Sequence, residues 1–423
     1  MDVAPIVVFL GVLIFLGNLL NRVFVLTKIP DLLFLIAVGL LIGPVLGLVS
    51  PESFGIVGPI FTTVTLAIIL FEGGLHLRVE TIHSSFKGTI SLTLVSFAVT
   101  MLLTTGILYY GGFLTLLPAV MLGAIIGGAS PAVVIPMIGF LHLKKESGAI
   151  LSLESAIADV LSIVIFLMIL DVYLIGSVDL RVMAGKLLAS LFMAVILGVL
   201  AGVFWSTIYH RLGDIRSIFL TPAFLLIIYG TVDSIGYSGA IAALAFGITL
   251  GNLDSFKISH VFPSAHDIPQ MELNDTEKLF LAQLVQLFKT FFFIYIGLSI
   301  QFSNAESFII AGVIVIALFV IRILVVYFSI SRTIPAWDAS VMAIMIPKGL
   351  AAAVLAGIPL QSKVLGGAFI ETTTYAIILF SIVICSVFVI LLERTGFQQI
   401  YGFFFRGFGK TPVTVAVPGK PPA

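Results

Sequence analysis

Apolar residues in this chain come in long, nearly unbroken runs. They follow neither the spacing of a one-sided soluble helix nor the alternation of a half-buried strand. A bilayer core takes about 20 apolar residues per helix. Thirteen runs of roughly that size lie at 4–24, 30–49, 55–76, 88–110, 114–140, 148–173, 183–208, 217–234, 237–252, 278–300, 306–330, 338–359 and 369–392. They predict an all-α polytopic membrane protein of about 13 transmembrane helices. The ninth run is short, and Gly and Pro interrupt the fifth and twelfth. The first run has no basic leader and no small-residue cleavage site, so it is expected to be a retained span.

Three self-similarities give these runs a plan. Gly39-Leu-Leu-Ile-Gly-Pro44 in span two is similar to Gly247-Ile-Thr-Leu-Gly-Asn252 in span nine. Gly74-Leu75 closes span three as Gly297-Leu298 closes span ten. Gly127-Gly-Ala-Ser-Pro131 interrupts span five, and Pro347-Lys-Gly-Leu350 interrupts span twelve. Each pair lies seven spans apart, an odd number, so the partners cross in opposite directions. That is an inverted-topology repeat, a common plan of secondary transporters. The expected organisation is spans one to nine over 1–252, with a first repeat at about 30–173. A cytoplasmic linker follows at 253–277. Spans ten to thirteen at 278–392 complete the second repeat, and 393–423 forms a short cytoplasmic tail.

Composition agrees with a chain in lipid. Hydrophobic residues make up 60% of the 423 positions and charged residues 10%, against about 25% charged in soluble domains. Mean hydropathy is +1.23. The formal net charge is zero, so bulk charge argues for no nucleic-acid partner. The single cysteine, Cys385, excludes a disulfide within the chain and a cysteine metal cluster. With the N-terminus outside, fifteen of the 21 Lys and Arg fall on inside connections or the tail. Arg78, Lys144, Lys145, Arg211, Arg332 and Arg406 are among them. This bias sets the expected orientation, a multi-pass cell-membrane protein with its C-terminus cytoplasmic.

Broken spans and buried charges carry the candidate chemistry. Gly127, Gly128 and Pro131, and opposite them Pro347, Lys348 and Gly349, free backbone groups at mid-membrane, where they are tolerated only in a protein interior or along a cavity. Paired interruptions in corresponding helices mark a transporter's site. Asp159 lies midway along span six, with Ser155 one turn earlier on the same face. An alkali cation takes hard oxygen ligands, and Asp159, Ser155, Ser130 and the carbonyls near Ala129 can supply them. Desolvation favours the neutral form of a carboxylate, so a proton and a cation can compete for one such group. Glu154 and Arg322 read as a buried ion pair bracing span six against span eleven. Lys348 is placed to offset helix-end dipoles. No nucleophile, metal or cofactor motif suggests an enzyme; the only metal expected is an alkali cation at Asp159, as cargo.

These residues resemble the monovalent cation/proton antiporter superfamily, and within it the NhaP-type sodium/proton antiporters of archaea and bacteria. The resemblance rests on Ile29-Pro-Asp through Gly43-Pro44, Leu70-Phe-Glu-Gly-Gly-Leu75, Glu154-Ser155 with Asp159, Phe291-Phe-Phe-Ile-Tyr-Ile-Gly-Leu298, Arg322, and Pro347-Lys-Gly-Leu350. It implies a six-helix core with two crossed discontinuous helices, and a homodimer formed by a separate interface domain. It also implies exchange of sodium or potassium for protons, without a cofactor, at Asp159. Three positions depart from the family pattern: Ala158 replaces an Asn, Ala129-Ser130 replaces Thr-Asp, and Lys348 replaces an Arg. A sodium-coupled organic-anion symporter of bile-acid type is the rival of similar plan. It would need a roomy apolar cavity and two sodium sites.

Overall fold

Hydrocarbon offers no hydrogen bonds, so a spanning segment must pair its own backbone, and a helix does so within one segment. The computed structural model describes residues 31–55, 57–75, 77–139, 141, 143–175, 180–211, 217–253, 275–300, 305–394 and 402–409, with helical positions between 8 and 20. Most of the linker at 253–277, parts of the first run and most of the tail lie outside the described residues. Apart from one isolated bridge, the described elements are helical.

The first half holds α1 (Asp31–Leu40), α2 (Val57–Leu75), α3 (Val79–Tyr110), α4 (Leu116–Ile125), α5 (Pro131–Ile138), α6 (Lys145–Ile175), α7 (Leu180–Arg211), α8 (Leu220–Ser234) and α9 (Gly239–Gly251). The second half holds α10 (Asp275–Ser299), α11 (Ala305–Ser329), α12 (Ala336–Ile344), α13 (Leu350–Ala356), α14 (Ile358–Gln361) and α15 (Gly367–Arg394). Six stretches among the described residues are long and apolar enough to cross a bilayer: Ser85–Tyr110, Lys145–Leu174, Leu188–Tyr209, Thr276–Ser299, Ala305–Ser329 and Gly367–Glu393. Shorter apolar helices lie in other expected runs.

Two boundaries follow from local chemistry. Helix α3 starts nine residues before the expected run at 88, because its first turns carry Glu80, His83 and Lys87 and belong beyond the apolar core. That start is held by α9: the Val79 N–H donates to Asn252 Oδ1 at 2.9 Å, and Arg78 donates to the Gly251 carbonyl at 3.0 Å. Pro44 removes a helical donor, and α1 ends in a π-helical turn over Leu41–Val45.

Small residues let helices approach in lipid. Helix α1 packs on α10 with Gly39 against Gly297, so close that a Cβ on either would collide with the other's backbone. Helix α2 meets α9 in the same way through Gly74 and Gly247. One turn on, Gly43 rests on Leu298, and Gly251 rests on Leu75. Helices α3, α4 and α6 pack together, as do α11 and α15.

Candidate functional site

Two helices stop mid-way and restart. Between α4 and α5 the chain is unwound over 126–130; between α12 and α13 it is unwound over 345–349. Pro131 begins α5, where its missing N–H costs no hydrogen bond. Ser130 precedes it with extended backbone, φ −78° and ψ 118°.

The two breaks touch. The Ser130 N–H donates to the Pro347 carbonyl at 2.8 Å. Lys348 Nζ donates to the Gly128 carbonyl at 3.0 Å, placing an ammonium just past the C-terminus of α4, where a cation is favoured. Gly349 lies directly on the Ser130 side chain, and a Cβ there would collide with Ser130 Oγ.

Neighbouring spans supply acceptors for the freed donors. Ser162 Oγ on α6 accepts the Gly128 N–H at 3.0 Å. Ser381 Oγ on α15 accepts the Lys348 N–H at 2.9 Å. Sequence reasoning missed both serines. Their only linear signal is a hydroxyl in an apolar run, three residues after Asp159 in the case of Ser162.

Helix α6 carries Glu154, Ser155 and Asp159. Glu154 and Arg322 are both buried and pair through both carboxylate oxygens, Nη1 to Oε1 at 2.6 Å and Nη2 to Oε2 at 2.8 Å. Arg322 also donates through Nη1 to Ser96 Oγ at 2.6 Å and through Nε to the Met342 carbonyl at 3.1 Å. Met342 lies in the last turn of α12, whose carbonyls lose their helical partners at the break. Arg322 therefore joins α3, α6, α11 and α12; neither Ser96 nor Met342 was legible in the sequence.

Asp159 is 6% exposed, and its Oδ2 is buried with no hydrogen-bond partner among the described residues. Ser130 Oγ is in the same condition. Buried polar atoms are rarely left unpaired. The Ala129 carbonyl lies in the unwound segment and accepts no hydrogen bond from the described residues. Ser155 Oγ donates to the Ser152 carbonyl at 2.9 Å, within its own helix. Gly127 donates to the Ala124 carbonyl at 3.2 Å and closes α4. Asp171 and Asp233 are exposed.

The arrangement thus holds a carboxylate and a hydroxyl with unused oxygens, a freed carbonyl, and a lysine fixed at the meeting of two broken helices. It can present hard oxygen ligands to a small cation, and the Asp159 carboxylate can take a proton instead.

A family model described as sodium/hydrogen exchanger, transmembrane, matches residues 10–394. The Na(+)/H(+) antiporter 1 of Methanocaldococcus jannaschii is 26% identical over 339 residues, covering 74% of this chain and 73% of that protein. The K(+)/H(+) antiporter NhaP2 of Shewanella sp. strain MR-4 is 27% identical over 236 residues, covering 53% of this chain and 40% of that protein. The solved structure of the sodium proton antiporter MjNhaP1 from Methanocaldococcus jannaschii matches with a TM-score of 0.71 at 24% identity, covering 92% of this chain and all of that one, and shows the fold. The chain belongs to the sodium/hydrogen exchanger family.

Proposed function

We propose that this protein exchanges sodium or potassium for protons by alternating access, with Asp159 holding either the cation or the proton. The observation that carries the reading is the Asp159 carboxylate: buried, with an oxygen that no donor among the described residues satisfies, on the helix that packs against both breaks. Ser130 Oγ and the Ala129 carbonyl would complete the ligand set, with Ser155 contributing its remaining lone pairs. Lys348 would hold the break in place, and Glu154 with Arg322 would brace the core.

The thirteen-span inverted repeat belongs to the same proposal. If span two corresponds to span nine and span three to span ten, a two-fold axis must turn the Gly39–Gly297 contact into Gly247–Gly74. Both contacts are present, and so is the second pair, Gly43–Leu298 and Gly251–Leu75. The same rule maps the Ser162 bond to the fifth-span break onto the Ser381 bond to the twelfth-span break. The orientation, N-terminus outside and C-terminus cytoplasmic, and the homodimer are carried over from the basic-residue pattern and the family resemblance.

Both cations remain in the reading because Ala158 and Ala129-Ser130 remove polar groups at the site, and because relatives are named for sodium and for potassium exchange. The family match leaves the organic-anion symporter without support.

Purified protein in proteoliposomes, with internal pH followed by a dye while sodium, lithium and potassium are added in turn, tests the function. At least one cation is expected to drive proton movement. Asp159→Asn is expected to fold and to show none. Exchange at the parent rate in that variant would remove Asp159 from the mechanism.

A further inference from the structure

Residues 402–409, beyond the last span, pack against the turn that leads into the broken helix α12. Gly409 forms the isolated parallel bridge with Pro335. Its N–H donates to the carbonyls of Arg332 at 2.8 Å and Ile334 at 3.0 Å, and its carbonyl accepts the Ala336 N–H at 3.0 Å. Ala336 is the first residue of α12. A helix start leaves four N–H groups without internal partners, and here the tail satisfies one of them. Phe405 and Phe408 are buried beneath this bridge, ring edge to ring face at 5.2 Å between centroids. The Arg332 guanidinium lies over the rings of Tyr327 and Phe408, at 3.9 and 4.8 Å.

The other side of the segment is open. Phe403 is 59% exposed and Phe404 46%, and the Arg406 guanidinium lies 4.6 Å from the Phe403 ring centre. Phe328, in the last turn of α11 next to Tyr327, is 77% exposed. Bare aromatic rings beside arginines, where a spanning helix ends, are the chemistry of the membrane–water interface. The patch is continuous with the exposed apolar end of α11 through the Tyr327 and Phe408 rings, and its exposed arginines complement an anionic surface. Both features favour a bilayer over a soluble protein as occupant.

We propose that residues 402–409 are a lipid-reading clasp on the broken helix. Phe328, Phe403 and Phe404 seat in the interfacial layer, and Arg406 takes the phosphate of an anionic phospholipid. Gly409 passes that seating to the start of α12, whose other end opens into the break at Lys348. The rate of exchange then depends on lipid charge. The effect on rate rests on the proposed antiport; the docking does not.

Trp337, the second residue of α12, reports the docking. The full-length protein is reconstituted in phosphatidylcholine alone or mixed with phosphatidylglycerol. Trp337 emission is taken as the difference between parent and Trp337→Phe. Phosphatidylglycerol is expected to lower quenching of Trp337 by aqueous iodide and to raise the cation-driven proton flux several-fold. Both responses should be lost in Arg406→Gln and in Phe403→Ser/Phe404→Ser, which change exposed side chains and should fold. An equal Trp337 signal in the two lipids would overturn the clasp. So would a full response in either variant, or the same response to soluble glycerol phosphate over neutral vesicles. A Trp337 response lost in the variants, with no proton flux for any cation, would uphold the docking and sink the antiport reading instead.

Discussion

Arg322 places three kinds of acceptor around one guanidinium: the Glu154 carboxylate, the Ser96 hydroxyl and the Met342 carbonyl. Its planar fork suits this, since five N–H donors point in fixed directions and the charge is permanent. Glu154 is consequently committed, and changing it strands a buried cation. Glu154→Gln is expected to cost about 3–5 kcal/mol. Replacing Glu154 and Arg322 together by Leu and Met removes both charges and leaves mainly the Met342 carbonyl unpaired, at about 1–3 kcal/mol. Melting of the purified proteins in detergent should therefore rank the parent first, the double variant second and the single variant last. A single variant as stable as the parent would mean that the pair carries no load. Asp159 is the opposite case. Its Oδ2 has no donor among the described residues to lose, so Asp159→Asn should leave melting close to the parent while abolishing exchange.

At the scale of elements, a helix interrupted in mid-membrane survives only if other elements satisfy what it frees. Span five lends the Gly128 N–H to Ser162 and its carbonyl to Lys348; span twelve lends the Lys348 N–H to Ser381 and the Met342 carbonyl to Arg322. The two serines do equivalent work in the two halves. Ser162→Ala and Ser381→Ala each leave a buried N–H unpaired, so each should lower stability by about 1–3 kcal/mol. Threonine at either position keeps the acceptor and should recover most of the loss in the same melting assay. A Ser381→Ala protein with unchanged melting would show that the Lys348 N–H finds another partner. The breaks themselves are legible in sequence, because Gly127, Gly128, Pro131, Pro347 and Gly349 cannot sit quietly in an apolar helix. Helix positions are legible too, since lipid demands long apolar runs. Ser162, Ser381 and Ser96 are not legible, because serine is common in spanning helices and only the folded packing shows which backbone group each one faces. The start of α3 is missed for a different reason: a hydropathy window ends at the membrane, while a helix with polar first turns continues past it.

At the scale of the whole molecule, the question is how much charge moves when the core passes between the two faces of the membrane. Electrogenic relatives by resemblance place a second carboxylate immediately before the essential aspartate; here that position is Ala158. Glu154 is held through both oxygens by Arg322. Glu72 lies near the end of α2, outside the helices that carry the breaks. Lys348 is hydrogen-bonded to the Gly128 carbonyl. In the proposed mechanism one carboxylate, Asp159, is left to exchange one cation for one proton, and the site would carry the same net charge with either. A membrane potential acts on a moving charge with about 2.3 kcal/mol per 100 mV, and here it finds no net charge to act on. Transport is therefore expected to be electroneutral. The initial rate of cation-driven pH change should stay constant when proteoliposomes are clamped at different potentials by an ion that the protein does not carry. A clear, reversible dependence of rate on voltage would mean that a second charge travels with the core. Replacing Lys348, Lys289 and Glu72 one at a time would then identify it, because only the residue that carries the charge would abolish the voltage dependence when neutralised.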